Sequence, residues 1–416
     1  MNFDFKDKIT IQKTTKFNTV AIKIVLVNEF SKENASKYSL LTKVLANTTK
    51  KYNTKLKLAN KMCDLYDASI YISSSNIHKA NLLSFTLRYV NDKCVEDYKL
   101  TDEVIKLLYE VIHNPNVSNG EFDHEVFEDE KKQQIAQITK IYNNKNRYAV
   151  RQAIKHMCPN EIVSVSSLGE LEDLAKITPK SLFDFYNEII ETSKLLIFVN
   201  GDVDDNIRKK LEKFNFIGNK YNGKSFDLYK KSDVLVDKVK EIKEIQDVNQ
   251  AKLIMGFRLK TSSSDNDKHV MSLFSLMFGG LYCSNLFINV RENNSLAYDI
   301  SSQMKLQSKI MFVIAGIDAD NYDKTVAIIK EELNKYVNGE IDEELLEIAK
   351  VNMISDINEI EDYQNDHIVY KLNQFLLNKD QTYDEIIDKI NSVTVQDIQR
   401  KASEISLDTI FLLSNK

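Results

Sequence analysis

A chain of 416 residues is too long for one ordinary hydrophobic core, so two or three domains are expected. Hydrophobic residues at 43% and charged residues at 28% exclude a disordered chain, and a net charge of −5 spread over 56 basic and 61 acidic residues excludes the electrostatic footprint of a nucleic-acid binder. The opening MNFDFKDKITIQKTTKF has no apolar leader core, no window approaches about 18 uninterrupted apolar residues, and Cys63, Cys94, Cys158 and Cys283 lack CxxC spacing; these features point to a cytoplasmic protein with no membrane partner, disulfide framework or cysteine-bound zinc.

Residues 19–28, TVAIKIVLVN, are β-branched and apolar, the signature of a buried strand. Leu41, Val44 and Leu45 at helical spacing predict a helix over 37–48, and another spans about 55–66. Residues 68–74 and 82–90 form an expected antiparallel pair, the second with Leu83, Phe85, Leu87 and Tyr89 on one face. Helices follow over about 101–112, 123–141 with Asp123 as N-cap, and 148–157. Thr178-Pro179 starts a helix that ends near Glu191, and 195–200 is a strand closed by Gly201-Asp202. Residues 217–233 hold Gly218 and Gly223 among Asn, Lys and Ser, the best linker in the chain.

Beyond the linker the order starts again. A strand is expected over 252–259, helices over 269–278 and 281–290, and a strand pair from 298–303 and 309–317. Helices at about 321–337 and 342–365, a start signal at Thr394 and a final strand over 409–413 complete it. Residues 121–138 align without gaps to 340–357 at an offset of 219, with identities at Glu121, Asp123, Glu125, Glu128, Lys131, Ile135 and Ile138; Thr178 and Thr394 recur at 216. This is an internal repeat. It predicts an α+β chain of two homologous domains, 1–216 and 234–416 around the 217–233 linker, each a mainly antiparallel β-sheet with helices packed on one face.

Chemistry-bearing motifs are scarce. Gly279-Gly280 lacks the context of a phosphate loop, no GxSxG elbow occurs, and the six histidines never form HExxH, HxxEH or HxH. The stretch 286–302, LFINVRENNSLAYDISS, stands out instead: a helix end, a polar turn and a strand start, with Arg291 and Tyr298 at the junction. Alone, such a pair is ordinarily a solvated Arg and a packed Tyr ring, but a guanidinium fork and a phenol there can also meet a peptide carbonyl or carboxylate.

The element order, the repeat, the Gly201-Asp202 strand end and LFINVRENNSLAYDISS together resemble the M16 metallopeptidases, the family of pitrilysin, insulin-degrading enzyme and mitochondrial processing peptidase. The resemblance spans essentially the whole chain and implies a LuxS/MPP-like metallohydrolase fold. TTKFNT, KENA and NNKNRYAVRQAIKHMC bring it nearest to the small M16B subunits, and there to the zinc-less YmfF-like partners of Gram-positive bacteria. Active members carry HxxEH on the first helix, two histidine ligands and a glutamate base, with a later glutamate as third ligand. On SLLTKVLANTTKKY those positions fall on Ser39, Thr42 and Lys43, and the third-ligand position on Gln137, seven residues after Glu130. A hydroxyl, an ammonium and a neutral amide cannot supply what zinc requires, and threonine cannot shuttle the proton. No cofactor is therefore expected in this chain.

The resemblance also matches Arg291 and Tyr298 to the family pair that holds the substrate backbone near the zinc. What it implies is a substrate-orienting subunit that pairs with an HxxEH-containing M16B paralogue bearing the zinc, and cleaves unfolded peptides or small proteins only as a heterodimer. The alternatives are a non-catalytic scaffold subunit and a peptide-binding carrier in a peptide-processing pathway.

Overall fold

The structure, a computed structural model, describes residues 8–95, 99–260 and 265–416. The first half of the sequence forms β1 (Ile9–Lys13), β2 (Thr19–Glu29), α1 (Lys32–Asn47), α2 (Lys55–Cys63), β3 (Ser69–Ile77), β4 (Ala80–Val90) and α3 (Leu100–His113). It continues with a short hairpin of β5 (Val117–Ser118) and β6 (Glu121–Phe122), then α4 (His124–Asn143), α5 (Lys145–Met157), α6 (Leu171–Ala175), α7 (Pro179–Thr192), β7 (Lys194–Gly201) and α8 (Ile207–Leu211). The second half forms β8 (Lys240–Ile245), β9 (Ala251–Leu259), α9 (Asp265–Ser275), β10 (Ala297–Lys305), β11 (Ile310–Ile317) and α10 (Tyr322–Asn338). It closes with α11 (Glu343–Ile360), α12 (Gln364–Leu376), α13 (Tyr383–Asn391), α14 (Val395–Ala402) and β12 (Ile405–Ser414).

The expected α+β architecture of two repeated, mainly antiparallel sheets is present. One sheet runs β1-β7-β2-β4-β3 and the other β8-β12-β9-β11-β10. Each has a single parallel pairing, β1 with β7 and β8 with β12, at the same place in the order. Both parallel edge strands escaped the sequence reading, because ITIQK and KEIKEI are too short and too polar to signal a strand.

The aligned identities of the repeat have structural work to do. Asp123 and Asp342 cap α4 and α11 by accepting from Val126 N–H at 3.0 Å and from Glu344 N–H at 2.9 Å. Lys131 Nζ donates to the Ile177 carbonyl at 2.8 Å, and its counterpart Lys350 Nζ to the Asn391 carbonyl at 3.2 Å. Each lysine thus satisfies the carbonyl end of the segment that precedes a capping threonine, Thr178 or Thr394.

Core packing follows the pleat. Ile22, Ile24 and Leu26 of β2 lie opposite Leu87, Phe85 and Leu83 of β4, all fully buried on the face covered by α1, α3 and α7. The other face of β2 is buried too: Ala21, Val25 and Val27 cluster with Leu196 and Phe198 of β7 and with Ile368 and Leu372 of α12. Burial on both faces explains why β2 shows a continuous apolar run rather than alternation.

That second layer departs from the contiguous domains expected from sequence. The chain divides into two compact units that are discontinuous: residues 1–139, 165–228 and 363–378 form one, and 140–164, 229–362 and 379–416 the other. Helix α5, from the first half, packs Ala149, Ala153, Ile154 and Met157 on Ile254, Phe312 and Phe411 of the second sheet. Gly256 leaves room for it, since a Cβ there would meet Met157 Sδ at 2.7 Å. Helix α12, from the second half, packs on the first sheet. Both ends of α5 and α12 are related by the same offset, 219, so the exchange is reciprocal. Accordingly, the single helix expected over 342–365 is two: α11 ends at Ile360, Tyr363 is extended, and α12 starts at Gln364 in the other unit.

The expected linker is anchored at its start. Gly218 N–H donates to Ile190 O at 2.7 Å with φ +74°, closing the end of α7, and Phe226 and Leu228 pack against the β2–α12 cluster.

Two predictions arise here. His367 on α12 is buried, and burial, with Lys371 adding to it, pushes its pKa down to about 4. The unfolded chain, at an ordinary histidine value of about 6.5, then binds the proton more readily. Stability is therefore expected to fall as pH drops from about 6.5 toward 4, with urea midpoints across that window flattened in His367→Gln. Burial likewise pushes the Cys158 thiol up to about 12. At neutral pH an alkylating reagent should modify the exposed Cys94 and Cys283 and spare Cys158 until the chain is unfolded, as peptide mass mapping will read.

Candidate functional site

Arg291 sits in a distorted helical segment, Phe287–Glu292, that closes through wide i to i+5 turns; Asn293 N–H donates to Ile288 O at 2.8 Å. A similar turn spans Leu276–Gly280, where Leu281 N–H donates to Leu276 O at 3.1 Å. The segment expected to be one helix over 281–290 is thus broken and displaced by these turns. Such turns re-aim side chains away from the regular helical stripe. Gly279 allows the first turn to lie against β10, because a Cβ would stand 2.8 Å from Ser302 N.

The guanidinium of Arg291 stacks over the Phe287 ring at 4.7 Å, with Tyr282 edge-on to that ring at 5.5 Å, and keeps 41% of its side chain exposed. Its nearest carboxylate is Glu292, at 3.7 Å. Tyr298 is the extra residue of a bulge: Ala297 pairs with Ile317 and Asp299 with Gly316, leaving Tyr298 without a partner in the ladder. It is 62% exposed, and its hydroxyl makes one long bond of 3.4 Å to Asp318. Neither donor is consumed by the fold.

The other positions lie in the other unit. Ser39, Thr42 and Lys43 occupy one face of α1, where Thr42 Oγ1 turns back to the Ser39 carbonyl at 2.9 Å. Lys43 is half-buried; burial lowers its pKa below the lysine range, and the charge of Glu130 opposes that shift. Glu130 is buried on α4, accepting from Lys55 Nζ at 2.8 Å and Gln133 Nε2 at 3.2 Å. One turn on, Gln134 Nε2 donates to the carbonyls of Ser36 and Leu168. Gln137 is exposed and is not in this network. The group of α4 that answers Lys43 is Glu130, a residue the sequence reading used only for counting. Helical spacing with the buried Phe127, Gln134 and Ile138 was the signal that places it inward.

This donor set does not fit zinc. Two lysines face the one carboxylate, and among the described residues no three His, Cys, Asp or Glu side chains assemble as a metal site. No helix is long and apolar enough to cross a membrane among those residues.

The sheet edges differ sharply. β1 is short and ends in Lys13, β8 is KEIKEI, and β10 carries a bulge, Asp299 and Lys305. β3, SIYISSSNI, has no charge, no proline and, in its pairing with β4, no bulge; Tyr71 stands exposed on it. Proteins normally guard an edge with one of those devices.

The duplicated sheet of this order has counterparts among known proteins. The family model described as the peptidase M16 inactive domain matches residues 176–353 of this chain. It is 28% identical to the probable inactive metalloprotease YmfF of Bacillus subtilis over 410 residues, covering 97% of this chain and 94% of that protein. Similarity to the non-peptidase homolog YmxG of Helicobacter pylori is 24% over 78% of this chain and 77% of that protein. A conserved protein of Enterococcus faecalis V583, solved by crystallography, superposes with a TM-score of 0.91 at 26% identity, covering 98% of this chain and 96% of that one.

Proposed function

We propose that this chain is the metal-free, substrate-orienting half of a two-subunit M16 peptidase, inactive alone and paired with an HxxEH-containing paralogue that brings the zinc. The observation that carries the reading is the pair of uncommitted donors Arg291 and Tyr298, displayed by a wide turn and a bulge while the metal positions hold Ser39, Thr42 and Lys43. The inactive M16 relatives support the first half of it. The peptide would be unfolded and would add a strand to an edge; β3 is the edge left open for it. In the pair, Arg291 and Tyr298 would donate to backbone carbonyls of a peptide held at the partner's zinc, a contribution worth a few kcal/mol where water is excluded.

Co-purification with the HxxEH paralogue, followed by hydrolysis of an unstructured peptide, tests this. The mixture should cleave, each chain alone should not, and Arg291→Ala should lower kcat/KM about 100-fold, with Tyr298→Phe less severe. Unchanged cleavage by both variants would leave a scaffold subunit.

A further inference from the structure

Resting on that reading, we propose that the face of α1 carrying Ser39 and Lys43 is a receptor for a peptide carboxylate, with Lys43 as the cationic donor and Ser39 as the neutral one. Helix α1 packs against β3, so a peptide added to that edge runs alongside α1. Ser39 and Lys43 are one turn apart on the same helical face. Among the described residues, neither the Lys43 ammonium nor the Ser39 hydroxyl makes a hydrogen bond or ion pair. Among the described residues the carboxylate acting on Lys43 is Glu130, and its Oε1 is already held by Lys55 and Gln133. Two ammonium groups against one carboxylate leave one positive charge in excess. Burial of Lys43 outweighs what Glu130 returns to it.

A half-buried cation with spare donors is stabilised by an arriving anion. A metal ion would be repelled, and a neutral amide would leave the charge uncompensated. The unit-2 counterpart of Glu130 in the repeat is Ala349, so the charged cluster belongs to this unit and is not an inherited packing feature of both. The site thus reads a carboxylate at one place along an extended peptide, and the C-terminal group of a short substrate is the one commonly available.

The test uses the full chain and a short fluorescent peptide with uncharged side chains, prepared as the free acid, as the C-terminal amide, and as the amide with one internal Glu. The free acid should bind about tenfold or more tightly than the amide, since one charge-assisted hydrogen bond is worth roughly that factor. The difference should vanish in Lys43→Gln and largely return in Lys43→Arg, with unchanged melting temperatures showing that the fold persists. If the internal Glu peptide equals the free acid, the receptor takes side-chain carboxylates as well, and the proposal stands with that source. Equal binding of acid and amide by the unaltered chain, or a preference that survives Lys43→Gln, overturns the receptor alone. No binding of any peptide overturns the edge-strand reading with it.

Discussion

A protein ended at residue 216 is expected to be insoluble or to lack a cooperative melt, although residues 1–216 contain every strand of the first sheet. Truncation strips Ile368 and Leu372 from Ala21, Val25, Val27, Leu196 and Phe198, and it leaves Ala149, Ala153, Ile154 and Met157 of α5 facing water. Each large apolar side chain moved into water costs about 1.5–3 kcal/mol, against a whole-protein stability of about 5–15 kcal/mol. The loss is also polar. Gln364 accepts from Thr19 Oγ1 at 2.7 Å and donates to the carbonyls of Thr19 at 2.9 Å and Asn200 at 3.1 Å, and all three contacts go with α12. Co-expression of 217–416 should rescue 1–216 as a stable pair, and calorimetry with near-ultraviolet circular dichroism will tell. A soluble 1–216 with its own sharp transition would refute the exchange as an obligate feature.

Replacing Arg258 with Met is expected to cost about 3–5 kcal/mol. The guanidinium is buried and makes three bonds at once: Nε to Asp408 at 2.8 Å, Nη1 to Glu161 at 2.7 Å and Nη2 to the Met157 carbonyl at 2.7 Å. It closes the end of α5 and ties that helix to β9 and β12, so the group serves the exchanged element directly. Removing it strands the carboxylate of Asp408, which is left with Thr409 Oγ1, while Glu161 keeps Lys230. Arg258→Met/Asp408→Leu should therefore recover much of the loss, because an apolar pair leaves no buried charge unpaired. Urea midpoints at constant m-value would measure both, and an Arg258→Met midpoint within experimental error of the parent would count against the network.

The sequence made the strands and the repeat visible wherever burial left a pattern. Leu83, Phe85, Leu87 and Tyr89 alternate because one face of β4 carries the core, and Asp123, Lys131 and Thr178 recur because caps are local chemistry. The destination of α5 and α12 was hidden, since an amphipathic helix announces that it must bury a face and not which sheet receives it. Arg291 and Tyr298 were legible through the broken apolar run around them, but the wide turn is a local i to i+5 closure that no regular spacing announces, and the bulge exists only in the pairing of β10 with β11. Lys43 and Glu130 meet only when α1 and α4 pack together, which no spacing along one helix can announce.

Exchange of one helix in each direction, at one offset, reproduces within one chain the geometry of swapped protomers. Either half alone would bare the sheet face that only the other half's helix covers, so a cut in the 217–233 segment leaves two fragments that must stay associated to remain folded.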